Sequence, residues 1–336
     1  MASIKLPDGS VREVPDGTTV LQLAESIGKR LAQAAIVGRV DGKLVDVSRP
    51  LTGTHELSIV TEKDPDALGV MRHSTAHVLA EALRHLYGAK LQYTIGPVIE
   101  NGFFYDFEFP AGVAISADDL PKIEAEMAKI VAADERFTRE DVAPDRAKDL
   151  LHAEGQRFKD EIIDELACAG ETSVSIYRQG DFTDLCRGPH VPSTKWIRAF
   201  KLTSVAGAYW RGKSDREQLT RIYGTAFFDK KDLEARQKQL EEAKKRDHRV
   251  LGPQLGLFAI DDQVGQGLVL WKPKGAVVRQ ELQNFIGEHL RRQGYEQVFT
   301  PHIGRLGLYK TSGHYPYYRV SQCPPLVDRA LIVLLA

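Results

Sequence analysis

Residues 229–249 form a run of charged side chains that contains neither glycine nor proline. Leu233 and Leu240 are its main apolar residues, so a helix here would have almost no face to bury and would connect folded parts through solvent. A polar segment that contains Pro65 follows residue 62 and is a second joint between folded parts, in addition to the connecting helix. The chain of 336 residues is also longer than one ordinary domain. We therefore predict four parts, which cover residues 1–62, 63–228, 229–252 and 253–336.

Two hairpin patterns and one helical pattern fill residues 1–62. Asp-Gly pairs at 8–9 and 41–42 each separate two short apolar segments, and this pair is a strong hairpin signal. Thr19 can cap a helix between the hairpins. The apolar residues of that helix share one face: Val20, Leu23, Ala24 and Ile27. With a last strand at 57–60, the pattern predicts a ubiquitin-like β-grasp.

The other parts mix helical and extended patterns. Within 63–228 these lie, in chain order, at 70–86, 102–109, 116–133, 145–166, 174–177, 199–202 and 220–228. We expect this part to fold as an independent unit. A further helix at 276–295 is predicted to bury one apolar face, made of Val277, Leu282, Phe285, Ile286 and Leu290. Residues 297–301 are predicted to be a strand, and the apolar end at 331–335 has no partner in the remaining sequence. The predicted fold class is α+β, in several domains.

Charge and cysteine content restrict the classes of function. The chain has 45 Lys and Arg against 46 Asp and Glu, a formal net charge of −1. This balance excludes a globally basic nucleic-acid binder but allows a locally basic groove. Cys168, Cys186 and Cys323 cannot form a disulfide framework and indicate a reducing compartment. No uncharged apolar run reaches about 18 residues, and the first residues lack an apolar signal core. We expect a cytoplasmic protein without a membrane segment.

His73 and His77 are the first candidates for chemistry. Residues four apart on a helix share a face, so the two imidazoles point into the same space. Such a pair suits metal binding or paired proton transfer. Taken alone, however, an HxxxH pattern more often marks two ordinary surface or core histidines.

The segment from Asp184 to His190 has the sequence Asp-Leu-Cys-Arg-Gly-Pro-His and supplies the second set. Cys186 and His190 have ligand-like spacing across a tight Gly-Pro turn. With His73 and His77 they could hold zinc tetrahedrally, or they could position a water and an ester without a metal. Asp184 could orient a histidine or bind an ammonium group. The simpler alternative for this segment alone is a buried structural cysteine in a turn.

Three further sets are candidates for RNA contact. Tyr209, Trp210 and Arg211 place aromatic rings beside a cation, which suits base stacking and phosphate binding. Arg187 in the Gly-Pro turn and the basic run Lys244, Lys245 and Arg246 are candidate phosphate contacts. Ordinary core aromatics and a solvated basic face are the competing interpretations.

Together these motifs resemble the threonyl-tRNA synthetase family. The segments at 73–77, 95–106, 184–190, 206–212 and 221–226 follow the family's order and spacing, and the resemblance extends over residues 1–319. It implies a TGS β-grasp module (1–62), a tRNA editing domain (63–228), a linker helix (229–252) and the start of a class II synthetase core (253–336), built on an antiparallel sheet. Residues 279–301 are similar to motif 1, which implies a homodimer through that region.

The resemblance also implies a reaction and a site. A pocket for threonine cannot strongly reject serine, because one missing methylene is worth only about 1–3 kcal/mol. The family therefore hydrolyses seryl-tRNA(Thr) in the editing domain, without a metal. The implied central residues are His73, His77, Cys186 and His190, with Asp184 near the amino group. Tyr105 and Lys159 match the family less specifically, and Lys159 could polarise the oxyanion or contact the ribose.

Several family features have no counterpart in this sequence. Family members continue well past its length, with ATP-binding motifs 2 and 3, a Cys/His/His zinc site that selects threonine, and an anticodon-binding domain. The family uses ATP, Mg and that zinc, so we expect a truncated chain that edits but does not activate threonine. Two other classes remain open. The chain could be a non-catalytic tRNA-binding or regulatory protein, or a zinc hydrolase unrelated to tRNA.

Overall fold

The structure, a computed structural model, describes residues 1–265, 267–301, 303–317, 326–328 and 331–335. Cys323, one of the three predicted free thiols, lies outside the described residues. Internal contacts divide the chain into two compact units, Met1–Glu241 and Glu242–Ala336. The mixture of helices and mainly antiparallel sheets agrees with the predicted α+β class, while the four-part division of the chain stays a prediction.

A five-stranded sheet and two helices form the N-terminal part of the first unit. The elements are β1 (Ala2–Lys5), β2 (Val11–Val14), α1 (Val20–Ile27), α2 (Lys29–Ala34), β3 (Val37–Val40), β4 (Lys43–Asp46) and β5 (Thr54–Val60). The strand order is β2-β1-β5-β3-β4. Strands β1 and β5 run parallel, and the other neighbours are antiparallel. Both predicted hairpins are therefore confirmed.

Helix α1 begins at the predicted cap. The Thr19 side chain accepts from the Gln22 backbone N–H, and the Gln22 side chain accepts from the Thr19 N–H, which completes a capping box. Val20, Leu23 and Ala24 are buried as predicted. Ile27 was predicted on the same face but is exposed, because it is the last residue of the helix. Helix α2 was not predicted.

The rest of the first unit surrounds one long helix. In chain order the elements are α3 (Pro65–Tyr87), β6 (Gln92–Tyr93), β7 (Val98–Ile99), β8 (Gly102–Glu108), α4 (Leu120–Ala133), β9 (Thr138–Val142), α5 (Pro144–Ala153), α6 (Phe158–Cys168), β10 (Val174–Gln179), β11 (Phe182–Leu185), β12 (Ala199–Tyr209) and β13 (Gln218–Phe227). One sheet has the order β12-β13-β8-β6, with β7 also on β8, and a second sheet has the order β11-β10-β9. Helix α3 packs against β8 and β13.

The helix predicted at 145–166 is in fact two helices, α5 and α6. The chain leaves the helical path at Gly155, whose φ is +73°, a conformation that glycine adopts at little cost. The amide of Gln156 then bonds back to the strand region, because its Oε1 accepts from the Tyr93 N–H (3.0 Å) and its Nε2 donates to the Leu91 carbonyl (3.0 Å). This break sets the direction of α6 and therefore the position of Lys159.

The N-terminal sheet and α3 share one hydrophobic core. Ile36, Val37 and Val60 belong to the same buried cluster as Val70, Met71 and many other residues of α3, β8 and β13. At the joint, Arg39 of β3 pairs with Asp64 (2.9 Å) and Asp66 (2.9 Å), and Asp64 caps α3. A fragment consisting of 63–228 would leave this part of the core open to water. The structure therefore gives no support to the expectation that 63–228 folds independently.

The second unit continues from α7 (Lys230–Lys245), which crosses the boundary between the units. The other elements are α8 (His248–Gln254), β14 (Phe258–Ile260), β15 (Val269–Trp271), α9 (Pro273–Arg292), β16 (Ile303–Arg305), α10 (Leu306–Thr311), α11 (His314–Tyr317), β17 (Leu326–Asp328) and β18 (Leu331–Leu335). The predicted linker helix is thus two helices, because Asp247 caps a new one.

Three predictions for the second unit were wrong. Residues 297–301 are not a strand, because no strand among the described residues pairs with them and an isolated strand has no hydrogen-bond partners. The end at 331–335, predicted to lack a partner, pairs as β18 with β16 and β17. The apolar face of α9 was predicted to be buried but is exposed, since the spacing identified the apolar side of the helix and not its surroundings.

Among the described residues, none of the helices combines the length and the hydrophobicity needed to cross a lipid bilayer.

We predict that Ile36→Ala lowers the free energy of unfolding of the chain by about 2–5 kcal/mol, because it opens a cavity in the shared core. Ile27→Ala, at an exposed position of the same part, is the matched control and should cost far less. Urea unfolding monitored by circular dichroism measures both. Equal losses for the two variants would contradict a core that includes Ile36.

Candidate functional site

Helix α3 and the turn after β11 bring the four predicted central residues together. His73 Nε2 lies 2.8 Å from Cys186 Sγ, and His190 Nε2 lies 3.5 Å from the same sulfur. The His77 ring is 4.2 Å from the His190 ring and 5.3 Å from the His73 ring, measured between centroids. His73 and His190 stack at 4.6 Å. The two histidines of one helical face and the distant Cys-His turn thus form one cluster.

A buried ion pair lies beside this cluster. Asp184 Oδ1 is 2.5 Å from Lys159 Nζ, and Asp184 Oδ2 accepts a 2.6 Å hydrogen bond from the Tyr105 hydroxyl. Lys159 also donates to the Thr94 carbonyl oxygen at 2.6 Å. The three side chains are almost fully buried, and they come from α6, β8 and β11. Because each charge has a partner, the centre avoids the cost of an unpaired buried ion.

Burial keeps the imidazoles neutral. It lowers the pKa of His73, and it holds the pKa of His77 and His190 well below the ordinary value. Mutual repulsion among the imidazolium forms adds to the effect on His77 and His190. All three side chains therefore carry an unprotonated nitrogen at neutral pH.

The thiol is neutral as well. Burial, followed by the nearby Asp184 carboxylate, raises the pKa of Cys186 to about 12. The same two causes raise the pKa of Tyr105 well above its usual value, so its hydroxyl keeps the proton that it donates to Asp184. The Gly188 N–H donates to Cys186 Sγ at 3.2 Å. Cys186 at neutral pH is thus a hydrogen-bonding group between two imidazoles and not a thiolate nucleophile.

All of these side chains except His190 line one wall of a cleft of about 910 Å³. His73, His77, Cys186, Asp184 and Lys159 reach it, as do Tyr105 and Arg187. His190 is not part of its lining and is 1% exposed. It therefore supports the other two imidazoles from behind and is not placed to touch a bound molecule.

Sequence reasoning missed two residues that hold His190. The Ser74 hydroxyl donates to the Val70 carbonyl (3.0 Å), so its 3.1 Å contact with His190 is donated by the imidazole Nδ1–H. The Nε2 lone pair of His190 consequently faces the Cys186 thiol. Asp46 Oδ1 accepts from the His190 backbone N–H at 2.9 Å. Ser74 lies between His73 and His77 in the sequence and could have been suspected, whereas nothing near Asp46 in the sequence marks it.

The predicted RNA contacts lie in different surroundings. Arg187 lines the cleft. Tyr209 is 44% exposed, but Trp210 is 3% exposed, packs against the Phe158 ring at 5.1 Å and donates to Glu161. The Trp210 ring is buried in a hydrophobic cluster and therefore offers no surface for base stacking. Its surroundings are those of the competing interpretation, an ordinary core aromatic. Arg211 pairs with Glu161 and Glu165.

The basic run Lys244, Lys245 and Arg246 belongs to the second unit at the end of α7, where Lys245 and Arg246 pair with Glu242.

Among the residues that the structure describes, two groups of side chains have ligand atoms within 4.8 Å of one another and could hold a metal ion. One is the cluster His73, His77, Cys186 and His190, and the other is Glu81, His85 and Asp181. In the second group both nitrogens of His85 already contact carboxylates, Glu126 at 3.2 Å and Asp181 at 3.1 Å. The first group is a donor set that zinc accepts. Zinc would require the thiolate, however, and this pocket by itself favours the thiol.

Comparisons with known proteins agree with this assembly. A family model described as "TGS domain" matches residues 3–61, and one described as "Threonyl and Alanyl tRNA synthetase second additional domain" matches residues 174–223. "Threonine--tRNA ligase" of Rhodopirellula baltica is 49% identical over 330 residues, which is 96% of this chain and 44% of that protein. The protein of the same name from Pelobacter propionicus is 51% identical, over 94% of this chain and 49% of its own length.

The chain is a homologue of the threonine–tRNA ligases. It spans about half the length of the curated relatives that it matches. A third ligase, from Bacillus velezensis, is 47% identical over 99% of this chain and 51% of its own length. The matched segment 174–223 of the synthetase model contains Asp184, Cys186, Arg187 and His190, whereas His73 and His77 lie outside both family models. The individual roles of the seven predicted site residues stay predictions.

We predict that iodoacetamide at pH 8 modifies Cys168 quickly and Cys186 slowly in the folded chain. Cys168 is exposed, while the raised pKa of Cys186 leaves little thiolate at that pH. Peptide mass spectrometry over a time course measures both rates. In urea the two rates should converge, and equally fast modification of the two thiols in the folded chain would contradict the assignment.

Proposed function

We propose that this chain carries the editing activity of a threonyl-tRNA synthetase and hydrolyses seryl-tRNA(Thr). The observation that carries the proposal is the cluster of three neutral imidazoles and one thiol, placed beside the Lys159–Asp184–Tyr105 centre on the wall of an open cleft. A cleft of about 910 Å³ is within the size range of sites for small organic ligands, so it can take a terminal aminoacyl-adenosine.

The hydrolysis needs one water and one proton acceptor. The water oxygen adds to the ester carbonyl carbon while a neutral imidazole, His73 or His77, accepts a proton from it. The bond between the carbonyl carbon and the ribose oxygen then breaks, and the imidazolium returns the proton to that oxygen. Both imidazoles line the cleft, and their lowered pKa values keep them in the basic form.

The charged centre has a separate role. Lys159 is fixed between Asp184 and the Thr94 carbonyl, so its ammonium is a stationary positive charge on the cleft wall. A fixed charge stabilises the oxyanion that develops on the carbonyl without reorganisation during the reaction. Asp184 keeps free lone pairs beside the Lys159 and Tyr105 contacts, and these suit the ammonium group of the serine.

The remaining parts fit the same protein family. We infer that residues 253–336 begin a class II synthetase core, that the exposed apolar face of α9 is its homodimer surface, and that the protein is cytoplasmic. The ATP, Mg and zinc that the family uses for aminoacylation have no assigned residues in this chain. No step of the proposed hydrolysis depends on them.

A metal-dependent hydrolase is a second candidate, favoured by the close spacing of the four donor atoms. Metal analysis of the purified chain and deacylation after dialysis against a chelator distinguish the two. Loss of activity on chelation with recovery on zinc addition would favour the metal, whereas full activity without metal supports the neutral imidazoles.

We predict that His73→Ala slows deacylation of seryl-tRNA(Thr) at least tenfold, since general-base catalysis is worth about 100- to 10,000-fold. Cys186→Ala should slow it at least tenfold as well, because the Cys186 thiol holds the His73 imidazole at 2.8 Å. His152→Ala is the matched control, because that imidazole is exposed and paired with Asp160. Threonyl-tRNA should be spared by the unmodified chain. Unchanged rates in both site variants would defeat the assignment, and a chain that binds tRNA without hydrolysing either ester would be the regulatory protein instead.

We also predict the pH profile of the reaction. An unperturbed imidazole would lose its basic form near pH 6.5. Because burial lowers the pKa of His73, the neutral form persists below that pH, and the acid limb of the single-turnover rate should lie below pH 6.5. Measurement of the rate between pH 5 and pH 8 tests this. A midpoint at or above 6.5 would mean that the base is a solvated group elsewhere.

A further inference from the structure

Strand β4, at the edge of the N-terminal sheet, reaches the candidate site. Asp46 at its end is 8% exposed and uses both carboxylate oxygens on residues far along the chain. Oδ1 accepts from the His190 backbone N–H at 2.9 Å, and Oδ2 accepts from the Tyr177 hydroxyl at 2.6 Å. A carboxylate from the first part of the chain therefore fixes the turn that carries Cys186 and His190.

Tyr177 completes this support. Its ring lies edge-on to the His190 ring at 4.5 Å. A Cβ at Gly188 would lie 1.9 Å from the Tyr177 hydroxyl oxygen, and Gly188 has a φ of +63°, so only glycine fits there. Asp46 holds the Tyr177 hydroxyl under the turn from one side, while Ser74 of α3 holds His190 from the other. The position of the turn thus depends on both.

The same strand also presents a cation to the cleft. Lys43, the first residue of β4, is exposed and lines the cleft together with Arg139 and Arg187. A nucleic acid is held mainly by contacts between its phosphates and cationic side chains. Lys43 can make such a contact without taking part in the chemistry.

We propose that β4 is a working part of the hydrolytic site. Asp46 is a positioning residue that acts through the Cys186–His190 turn, and Lys43 binds a phosphate near the aminoacylated end of the RNA. This inference rests on the proposed editing function, and it deepens that function by adding residues of the N-terminal part to the site.

Substitution of Asp46 and substitution of Lys43 should affect different kinetic parameters. With seryl-tRNA(Thr), Asp46→Ala should lower kcat at least tenfold with KM within about twofold, because the imidazoles shift while the RNA contacts remain. Asp46→Asn keeps an oxygen for the His190 N–H and should recover most of kcat. Lys43→Met should raise KM at least about threefold at unchanged kcat, and it should weaken the salt dependence of KM by about 0.7 in log–log slope. The controls Asp16→Ala and Lys5→Met, exposed charges of the same N-terminal part, should match the unmodified chain.

A second readout is independent of the editing function. Asp46→Ala should speed the alkylation of Cys186 at least fivefold relative to Asp46→Asn, because both substitutions remove the carboxylate charge but only Ala loosens the turn. Urea unfolding of both variants excludes global unfolding as the cause.

If the unmodified chain hydrolyses nothing, the proposed function fails. The alkylation rate then still decides the role of Asp46, and binding of tRNA(Thr) by Lys43→Met still decides that of Lys43. The inference for Asp46 would be overturned if Asp46→Ala had the kcat and the alkylation rate of the unmodified chain. It would also be overturned if Asp46→Ala and Asp46→Asn lost kcat equally. An unchanged KM in Lys43→Met would overturn that for Lys43 if the chain hydrolyses the ester, and an unchanged Kd would do so if it does not.

Discussion

The buried ion pair between Lys159 and Asp184 constrains everything around it. Two charges taken out of water are tolerated only if geometry and hydrogen bonds compensate for the lost hydration. Here the compensation comes from the Tyr105 hydroxyl and the Thr94 carbonyl, so four separate segments of the chain must meet at one point. Breaking such a pair on one side typically costs about 3–5 kcal/mol. The cleft wall is therefore rigid where the proposed chemistry needs it to be.

Burial of the pocket also keeps its imidazole, thiol and phenol groups uncharged. The pocket contains three imidazoles, a thiol and a phenol, and burial shifts the pKa of each toward its uncharged form. The Lys159–Asp184 ion pair beside them is compensated by its own hydrogen bonds. Such a pocket can take up a proton from water during an ester hydrolysis because it holds basic groups that have not already been protonated.

The sequence predicted local structure where turn and cap residues mark it. The Asp-Gly hairpins and the Thr19 cap are of this kind, and the four central side chains could be chosen because two motifs and a resemblance marked them. The break at Gly155 was missed because the helical apolar spacing continues across it. The strand at 297–301 failed because a strand needs a neighbour, and Trp210 was misjudged because composition does not distinguish a buried ring from an exposed one. Asp46 was beyond reach, since it meets His190 only through the packing of two parts of the chain.

The joint between the N-terminal sheet and α3 makes the connection between these two parts rigid rather than flexible. If the two parts were linked by a flexible tether, Asp46 and His190 would meet with an effective concentration of about millimolar, which a single hydrogen bond could hardly exploit. Arg39 removes that freedom by bridging Asp64 and Asp66 at the start of the helix, and the shared core around Ile36 and Val37 does the rest. The loss of orientational entropy is thus incurred once, during folding. Contacts across the joint link residues that are 131 to 144 positions apart in sequence. They then cost no more orientational entropy than contacts within a single element.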